Sequence, residues 1–368
     1  MSVSINGTSG LVFNDASTQN TAATGFGFKN RIINGAMVID QRNAGASVTP
    51  TDTAYGLDRW SFRLTQASKF TTQQNAGAVT PPAGYTNYLG VTSSSAYSVV
   101  ASDFFTLVQY IEGYNVADLG WGTANAQTVT LSFWVRSSLT GTFGGSFNST
   151  NNGRSYPFTY TISSANTWEQ KTVTVAGDTS GTWETTNTRG MGVRFNLGAG
   201  STYSGTANTW SSASYFAPTG AVSVVGTSGA TFYITGVQLE KGSTATSFDY
   251  RPYGTELQLC QRYFQSWGGT NTNEVMPFFG IGYSDTVTVQ GEWPYMCPMR
   301  TAPSLTQIST FQFVDVANTV AAGTLVLDQA GLQSARIRTG TATGAVSFRP
   351  YFMWTTSTTS RIQFSAEL

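Results

Sequence analysis

Apolar and polar residues alternate one by one along much of this chain. The clearest stretch is Thr128 to Arg136, where Val129, Leu131, Phe133 and Val135 alternate with Thr130, Ser132, Trp134 and Arg136. That is the period-2 signature of a strand with one face in a core and the other toward water. Shorter runs predict strands at Arg31 to Ile39, Arg59 to Leu64, Tyr88 to Val91, Phe104 to Ile111, Phe158 to Ile162, Lys171 to Val175, Met191 to Leu197 and Thr231 to Leu239. Strands at this density, separated by Gly- and Asn-rich turns, predict an antiparallel sandwich or jelly roll over residues 30–252. The composition breaks at Arg251-Pro252-Tyr253-Gly254, and Glu256 to Trp267 then places Leu257, Cys260, Phe264 and Trp267 near helical spacing. Beyond this helix, alternation returns at Phe278 to Tyr283, Thr286 to Trp293, Leu305 to Phe313, Thr324 to Asp328, Ala335 to Arg338, Ala345 to Trp354 and Arg361 to Leu368. The expected fold class is all-β: a jelly-roll β-sandwich, one short helix, and a smaller C-terminal β domain over residues 253–368. Residues 1–29 are rich in Gly, Asn, Ser and Thr with one apolar triplet, Leu11-Val12-Phe13. They are expected to attach to a partner rather than build a core of their own.

Composition narrows the function. Of 368 residues 40% are hydrophobic and only 10% charged, against about 25% charged in an average soluble protein. Hydroxyls and amides must cover the surface, which suits many short strands and burial against copies of itself or a partner. Lys plus Arg and Asp plus Glu number 19 each and are scattered singly, so nothing can neutralise a row of phosphates and nucleic acid is not an expected partner. No apolar stretch reaches the roughly 18 residues of a membrane span. Met1 to Gly10 has neither a basic nor an apolar signal region, so export by the usual route is not expected. Cys260 and Cys297 cannot staple a fold and are expected to be buried free thiols, consistent with assembly in a reducing cytoplasm.

The chain has no histidine, which removes Ser-His-Asp and Cys-His catalysis and the common zinc sites. Only carboxylates remain for catalysis, and Asp103, Glu112, Glu169, Asp178 and Glu184 each stand alone among small polar residues. No catalytic residue, cofactor or metal is assigned, and the chain is not expected to be an enzyme, although a carboxylate pair for glycoside hydrolysis stays open. Aromatic residues offer the sharper chemistry, because a flat ring with neighbouring amides and hydroxyls can take the apolar face of a sugar and satisfy its hydroxyls. Trp168, Trp183, Trp210 and Tyr203 lie in loop-like Gly/Asn/Thr contexts and are the candidate glycan-binding residues, with packing beneath a loop or at a subunit contact as the alternative. Trp60, Phe133 and Phe195 fall on strand positions expected in the core. Gly25-Phe26-Gly27 and Gly141-Thr142-Phe143-Gly144-Gly145 lack the Gly-Lys-Ser/Thr element of a phosphate loop and read as turns.

Several motifs carry a family likeness. Asn30-Arg31-Ile32-Ile33-Asn34-Gly35-Ala36-Met37 followed by Asp58-Arg59-Trp60 resembles the opening of phage tail-fibre and head-fibre proteins with a carbohydrate-binding-module-like jelly roll. Phe232 to Gly242, Phe248-Asp249-Tyr250-Arg251-Pro252 and Glu256 to Phe264 resemble the way that family closes the domain and continues. Gly10 to Gln19 and the ending Ser365-Ala366-Glu367-Leu368 are similar to fibre proteins too. The resemblance implies a bacteriophage virion protein, made and assembled in the host cytoplasm, held to other virion proteins by residues 1–29. It further implies a homotrimer, and a tail fibre binding host-surface glycans. A purely architectural head or capsid fibre, decoration or collar protein is the alternative, and a glycan depolymerase the third. Related modules often hold a structural calcium. Here the corresponding neighbourhoods carry Ala36 and Thr235-Gly236, leaving Asp40 or Asp249 to contribute to a site placed differently.

Overall fold

The computed structural model describes residues 28–315 and 318–368, with the backbone of three short strands, Ser4–Asn6, Gly10–Val12 and Thr18–Gln19, paired as an antiparallel meander. The attachment role expected of residues 1–29 and the turn at Gly25-Phe26-Gly27 fall outside the described residues, apart from Phe28 and Lys29.

Eleven strands build the two main sheets of the first domain: β1 Tyr55–Leu57, β2 Trp60–Leu64, β3 Phe70–Gln74, β4 Leu89–Ser93, β5 Phe104–Glu112, β6 Val129–Ser137, β7 Gly141–Ser149, β8 Ser155–Ile162, β9 Glu169–Val175, β10 Arg189–Ala199 and β11 Thr231–Lys241. They form a six-stranded sheet, β8-β7-β10-β5-β2-β1, and a five-stranded sheet, β9-β6-β11-β4-β3, with antiparallel pairing throughout. The chain passes repeatedly from one sheet to the other, the wiring of a jelly roll. Alternate residues of both sheets meet in one core that includes the fully buried Trp60, Phe133 and Phe195, as their strand positions predict.

Three local expectations fail for physical reasons. Arg31 to Ile39 is apolar and buried but is not a strand. Asn34 and Met37 adopt left-handed φ of 58° and 59°, and side chains take the amides that a ladder would use: Asn30 accepts from Ile32 N, Gln109 from Ile33 N, and Asn34 from Ile39 N. Gly141 to Gly145 is no turn but the start of β7. Its glycines are required by crowding, since a Cβ at Gly145 would lie 1.9 Å from the Arg194 carbonyl oxygen and one at Gly144 2.4 Å from the Pro218 ring. The helix, α1, runs over Tyr253–Gln261 and stops before Phe264, which with Trp267 belongs to the next strand.

That strand, β12 Phe264–Gly268, opens the second domain. It continues through β13 Val275–Gly282, β14 Val289–Pro294, β15 Ser304–Ile308, β16 Phe311–Val314, β17 Thr319–Ala321, β18 Leu325–Ala330, β19 Ser334–Thr339, β20 Pro350–Thr355 and β21 Arg361–Ser365. A three-stranded sheet, β12-β21-β15, and a seven-stranded sheet, β17-β16-β20-β13-β14-β19-β18, enclose a separate core around Trp293, Phe313, Tyr351 and Phe364.

The two domains are joined in part by residues of the sequence motifs. Cys260 and Tyr263 pack on Ile33 and Ile39. Arg59, buried at the sandwich surface, pairs with Glu367, which also takes Arg42 at 2.6 Å. Glu112 receives Arg262 at 2.6 Å and the Tyr263 hydroxyl at 2.5 Å. Within the first domain, Asn34 braces this junction by donating to the carbonyls of Ile39 and Asp58, and its own carbonyl accepts from the Trp60 indole. Burial pushes the Asp58 carboxyl up to about 6, against Arg42 and two bonds from Gln41 that favour its charged form. Both cysteines are free and buried.

Candidate functional site

The four aromatic candidates occupy three different places. Trp183 and Trp210 come together with Trp121 as three mutually perpendicular indoles, centroids 4.7–5.6 Å apart, leaning on the sandwich core. Trp168 stands elsewhere, edge-on to Tyr88 at 5.5 Å within a small cluster containing Tyr233. Tyr203 stacks on Phe216, 5.1 Å away and 6° from parallel, with Phe104 edge-on to both. All four are half-buried. The indole N–H groups of Trp168, Trp183 and Trp210 are bonded to the carbonyls of Thr80, Ser180 and Ala176. Their edges are committed to the fold, although each ring keeps some accessible surface.

A different tryptophan keeps its indole N–H unbonded by the fold. Trp134 lies on the outward face of β6, opposite Gln170 of β9 and Thr235 of β11 in the ladder. It is half-buried like the other three, but its indole N–H has no protein partner among the described residues and is not buried. One step along, Arg136 lies opposite Tyr233, with its guanidinium 5.6 Å from that ring. Trp168 precedes β9 on the same side, so the Trp168-Tyr88-Tyr233 cluster walls this end of the face. In the other direction Thr172 is exposed beside Ser132. The result is a sheet face with one accessible ring at its centre, an amide and hydroxyls beside it, and a cation at its edge. The signal was legible in the sequence, since Trp134 is the one aromatic among the polar positions of the clearest alternating strand.

The face continues over the bulge in β11. Gly236 has φ 60°, and a Cβ there would lie 2.6 Å from the Tyr85 ring, so only glycine lets that ring sit on the strand. Tyr85 packs against Phe248 and Tyr250, which also pack on each other. Burial and the neighbouring Tyr250 hydroxyl push the Tyr85 phenol up. These rings border a cavity of about 160 Å³ whose polar lining includes Asn30, Thr86, Asp249 and Glu256. Tyr250 and Tyr253 remain 58% and 64% exposed at its rim.

Most other candidate chemistry is spent internally, Glu184 being the one candidate carboxylate with no side-chain partner among the described residues. Asp103 accepts from Thr65, Tyr97 and Val100, Glu112 from Arg262 and Tyr263, Glu169 from Lys171, and Asp178 from Arg154. Asp40 takes the amides of Asn43 and Gly45, and Asp249 those of Lys29 and Asn30. Lys29 places its ammonium on Thr246, whose hydroxyl bonds Glu240, so a cation from the chain itself stands beside that carboxylate. Among the described residues no group of three metal-ligating side chains comes together, and no described helix is long and apolar enough to cross a membrane.

No protein-family model and no curated protein matches the chain. Solved structures with a similar course include the enzymatically active domain of tailspike protein 4 from bacteriophage CBA120, with a TM-score of 0.30 and 11% identity over 53% of this chain and 22% of that one. The family 11 carbohydrate-binding module of cellulase Lic26A-Cel5E from Clostridium thermocellum aligns with a TM-score of 0.28 and 13% identity over 55% of this chain and 99% of the module. The module TmCBM61, solved with β-1,4-galactotriose, aligns with a TM-score of 0.30 and 10% identity over 58% and 99%. This chain spans less than a quarter of the tailspike domain it matches. Likenesses at this level carry no inference about ligand or activity.

Proposed function

We propose that this chain is a bacteriophage fibre protein of the tail-fibre type whose jelly roll binds a host-surface glycan through the outward face of the five-stranded sheet. The observation that carries the glycan reading is Trp134, an accessible ring with an unspent N–H among Gln170, Thr172 and Arg136. A pyranose presents an apolar face and a rim of hydroxyls, and this arrangement offers a partner to each. The virion role, assembly in the host cytoplasm and attachment through residues 1–29 rest on the sequence motifs. Binding without catalysis is supported by the internal engagement of Asp103, Glu112, Glu169 and Asp178, which leaves Glu184 as a single candidate carboxylate where glycoside hydrolysis needs a pair.

The distal domain supports the homotrimer. Val275, Phe279, Ile281 and Phe352 lie exposed side by side on the outward face of the seven-stranded sheet, with Phe279 and Phe352 in edge contact at 5.6 Å. A contiguous apolar patch of this kind marks an association surface, and several linked copies raise the apparent affinity of a weak site by about 10²–10⁴-fold. Native mass spectrometry is expected to show the trimer, and a stable monomer at micromolar concentration would remove it. For the binding face, Trp134→Ala is expected to abolish adsorption to host cells or a glycan array while the thermal midpoint stays within a degree or two. Parent-like adsorption by both Trp134→Ala and Gln170→Ala would defeat the reading. It would favour a purely architectural head fibre or collar protein, a second reading already supported by the inward commitment of Trp168, Trp183 and Trp210. Imaging of intact particles would locate the chain.

A further inference from the structure

On the opposite side of the sandwich, we propose that Arg63, Arg189 and Arg194 form a binding site for an oxyanion over Tyr110, the anion being either free or the carboxylate, sulfate or phosphate of an acidic sugar. Tyr110 of β5 and Arg194 of β10 project from the outward face of the six-stranded sheet, and Arg63 reaches them from β2. The Tyr110 hydroxyl receives Nη2 of Arg194 at 3.0 Å and Nη1 of Arg63 at 3.3 Å. The Arg189 guanidinium lies over the same ring, 4.5 Å from its centroid. Three like charges thus converge on one phenol.

They are poorly neutralised. Arg63 pairs with Asp52 at 2.8 Å, and that carboxylate is largely in solvent. Neither Arg189 nor Arg194 has a carboxylate within ion-pair distance among the described residues. Arg194 is fully buried, and its bonds go to neutral oxygens: Asn148 at 2.9 Å, Thr106 at 3.3 Å, Tyr110 at 3.0 Å and Asn152 at 3.4 Å. Such oxygens orient a guanidinium without cancelling its charge, and a buried cation without an anion is a costly arrangement. Arginine has no acceptor, so the Tyr110 hydroxyl, which already accepts two N–H groups, has its own proton left to donate. Arg63 and Arg189 are half-exposed and open the cluster to solvent. An anion arriving there meets the planar guanidinium fork of Arg189, Nη2 of Arg63, whose Nε and Nη1 are already on Asp52 and Tyr110, and a phenol donor, with the fixed charge of Arg194 behind them. Burial by itself would raise the Tyr110 phenol, but Arg194, Arg189 and Arg63 together bring it below its ordinary value, which reports the same positive field.

The test is thermal unfolding of the full chain at pH 7 and constant ionic strength, with chloride replaced in turn by inorganic phosphate and by glucuronate, and with glucose as the neutral control. The parent is expected to gain several degrees with phosphate and with glucuronate and nothing with glucose, because a ligand that binds only the folded state raises its midpoint. Arg189→Gln is expected to lose most of that gain and Arg63→Gln part of it, whereas Arg189→Lys retains some. Phosphate also stabilises proteins through exclusion from their surface, so a gain that survives undiminished in both glutamine variants overturns the site, as does the absence of any gain in the parent. A response to phosphate without one to glucuronate upholds the oxyanion site and removes the sugar as its source. Trp134→Ala is expected to respond like the parent, so failure of the sheet-face reading and failure of this one are separately visible.

Discussion

In the jelly roll, the outward positions of the two sheets carry Thr, Ser, Gln, Asn and Arg, with Trp134 as the accessible ring and loops folded over much of the rest. In the distal domain the outward positions of the seven-stranded sheet carry Val275, Phe279, Ile281 and Phe352, and most of the large apolar side chains left exposed among the described residues lie in this domain. Both regions use the same alternation of faces, and both bury one face completely. What differs is the second face: one is covered by polar side chains and loops, the other carries contiguous exposed apolar side chains. In a sheet protein the buried positions define the fold, and the outward positions record what the sheet meets.

The largest expected effect lies at the junction of the two regions. Glu367→Gln removes the partner of both Arg59 and Arg42 and leaves Arg59 charged and buried, which should cost about 3–5 kcal/mol in chemical denaturation. A loss below about 1 kcal/mol would mean that the domains are held by packing alone. Asp58 tests the same junction by pH. Its carboxyl is raised from 3.8 to about 6, so between these values the folded state holds a proton that the unfolded state has released. Its contribution is therefore fully present below about pH 4 and lost as pH rises through 6, amounting to on the order of 3 kcal/mol. The carboxylates of Asp118 and Glu169, held low by Arg31 and Lys171, act in the opposite sense and only at lower pH. Asp58→Asn should flatten the stability profile between pH 4 and 6.5, and an unchanged slope would place the titrating group elsewhere.

Within the jelly roll, Trp183→Ala should lower stability by about 2–3 kcal/mol, because that ring packs on the core and on Trp121. Trp134→Ala should cost under about 1 kcal/mol, as that ring packs on none of the hydrophobic clusters and its N–H bonds nothing in the fold. Calorimetry of the two variants separates a structural tryptophan from a functional one, and equal losses would erase the distinction. The smallest effect on folding belongs to the distal face: Phe352→Ser should weaken self-association about tenfold or more, seen by light scattering, while the stability of each subunit changes by under about 0.5 kcal/mol. A loss of subunit stability instead of association would show that the face is covered within one chain.

Much of this was written in the order of the residues. The alternation of Val129, Leu131, Phe133 and Val135 with Thr130, Ser132, Trp134 and Arg136 placed a strand and its faces correctly, because side-chain direction in a strand has a period of two and needs no distant partner. The same run displayed Trp134 on the polar side. The loop contexts of Trp168, Trp183 and Trp210 were equally readable. Their half-burial was not, since it depends on where Thr80, Ser180, Ala176 and Trp121 arrive in space. Arg31 to Ile39 passed for a strand because its apolar pattern is that of a buried segment, while the bonds that take its amides come from Gln109 and Glu256, far away in the chain.

The sequence by itself determined the class of fold, most of the strand-bearing segments and the low content of charge, all of which follow from local periodicity and composition. Only the tertiary structure decided which tryptophans bond their N–H groups into the fold, that the motif residue Arg59 pairs with Glu367 across the domain junction, and that three arginines from different strands converge on Tyr110. Burial, pairing and charge density are properties of neighbours in space, and in an antiparallel fold most of those neighbours are distant in sequence.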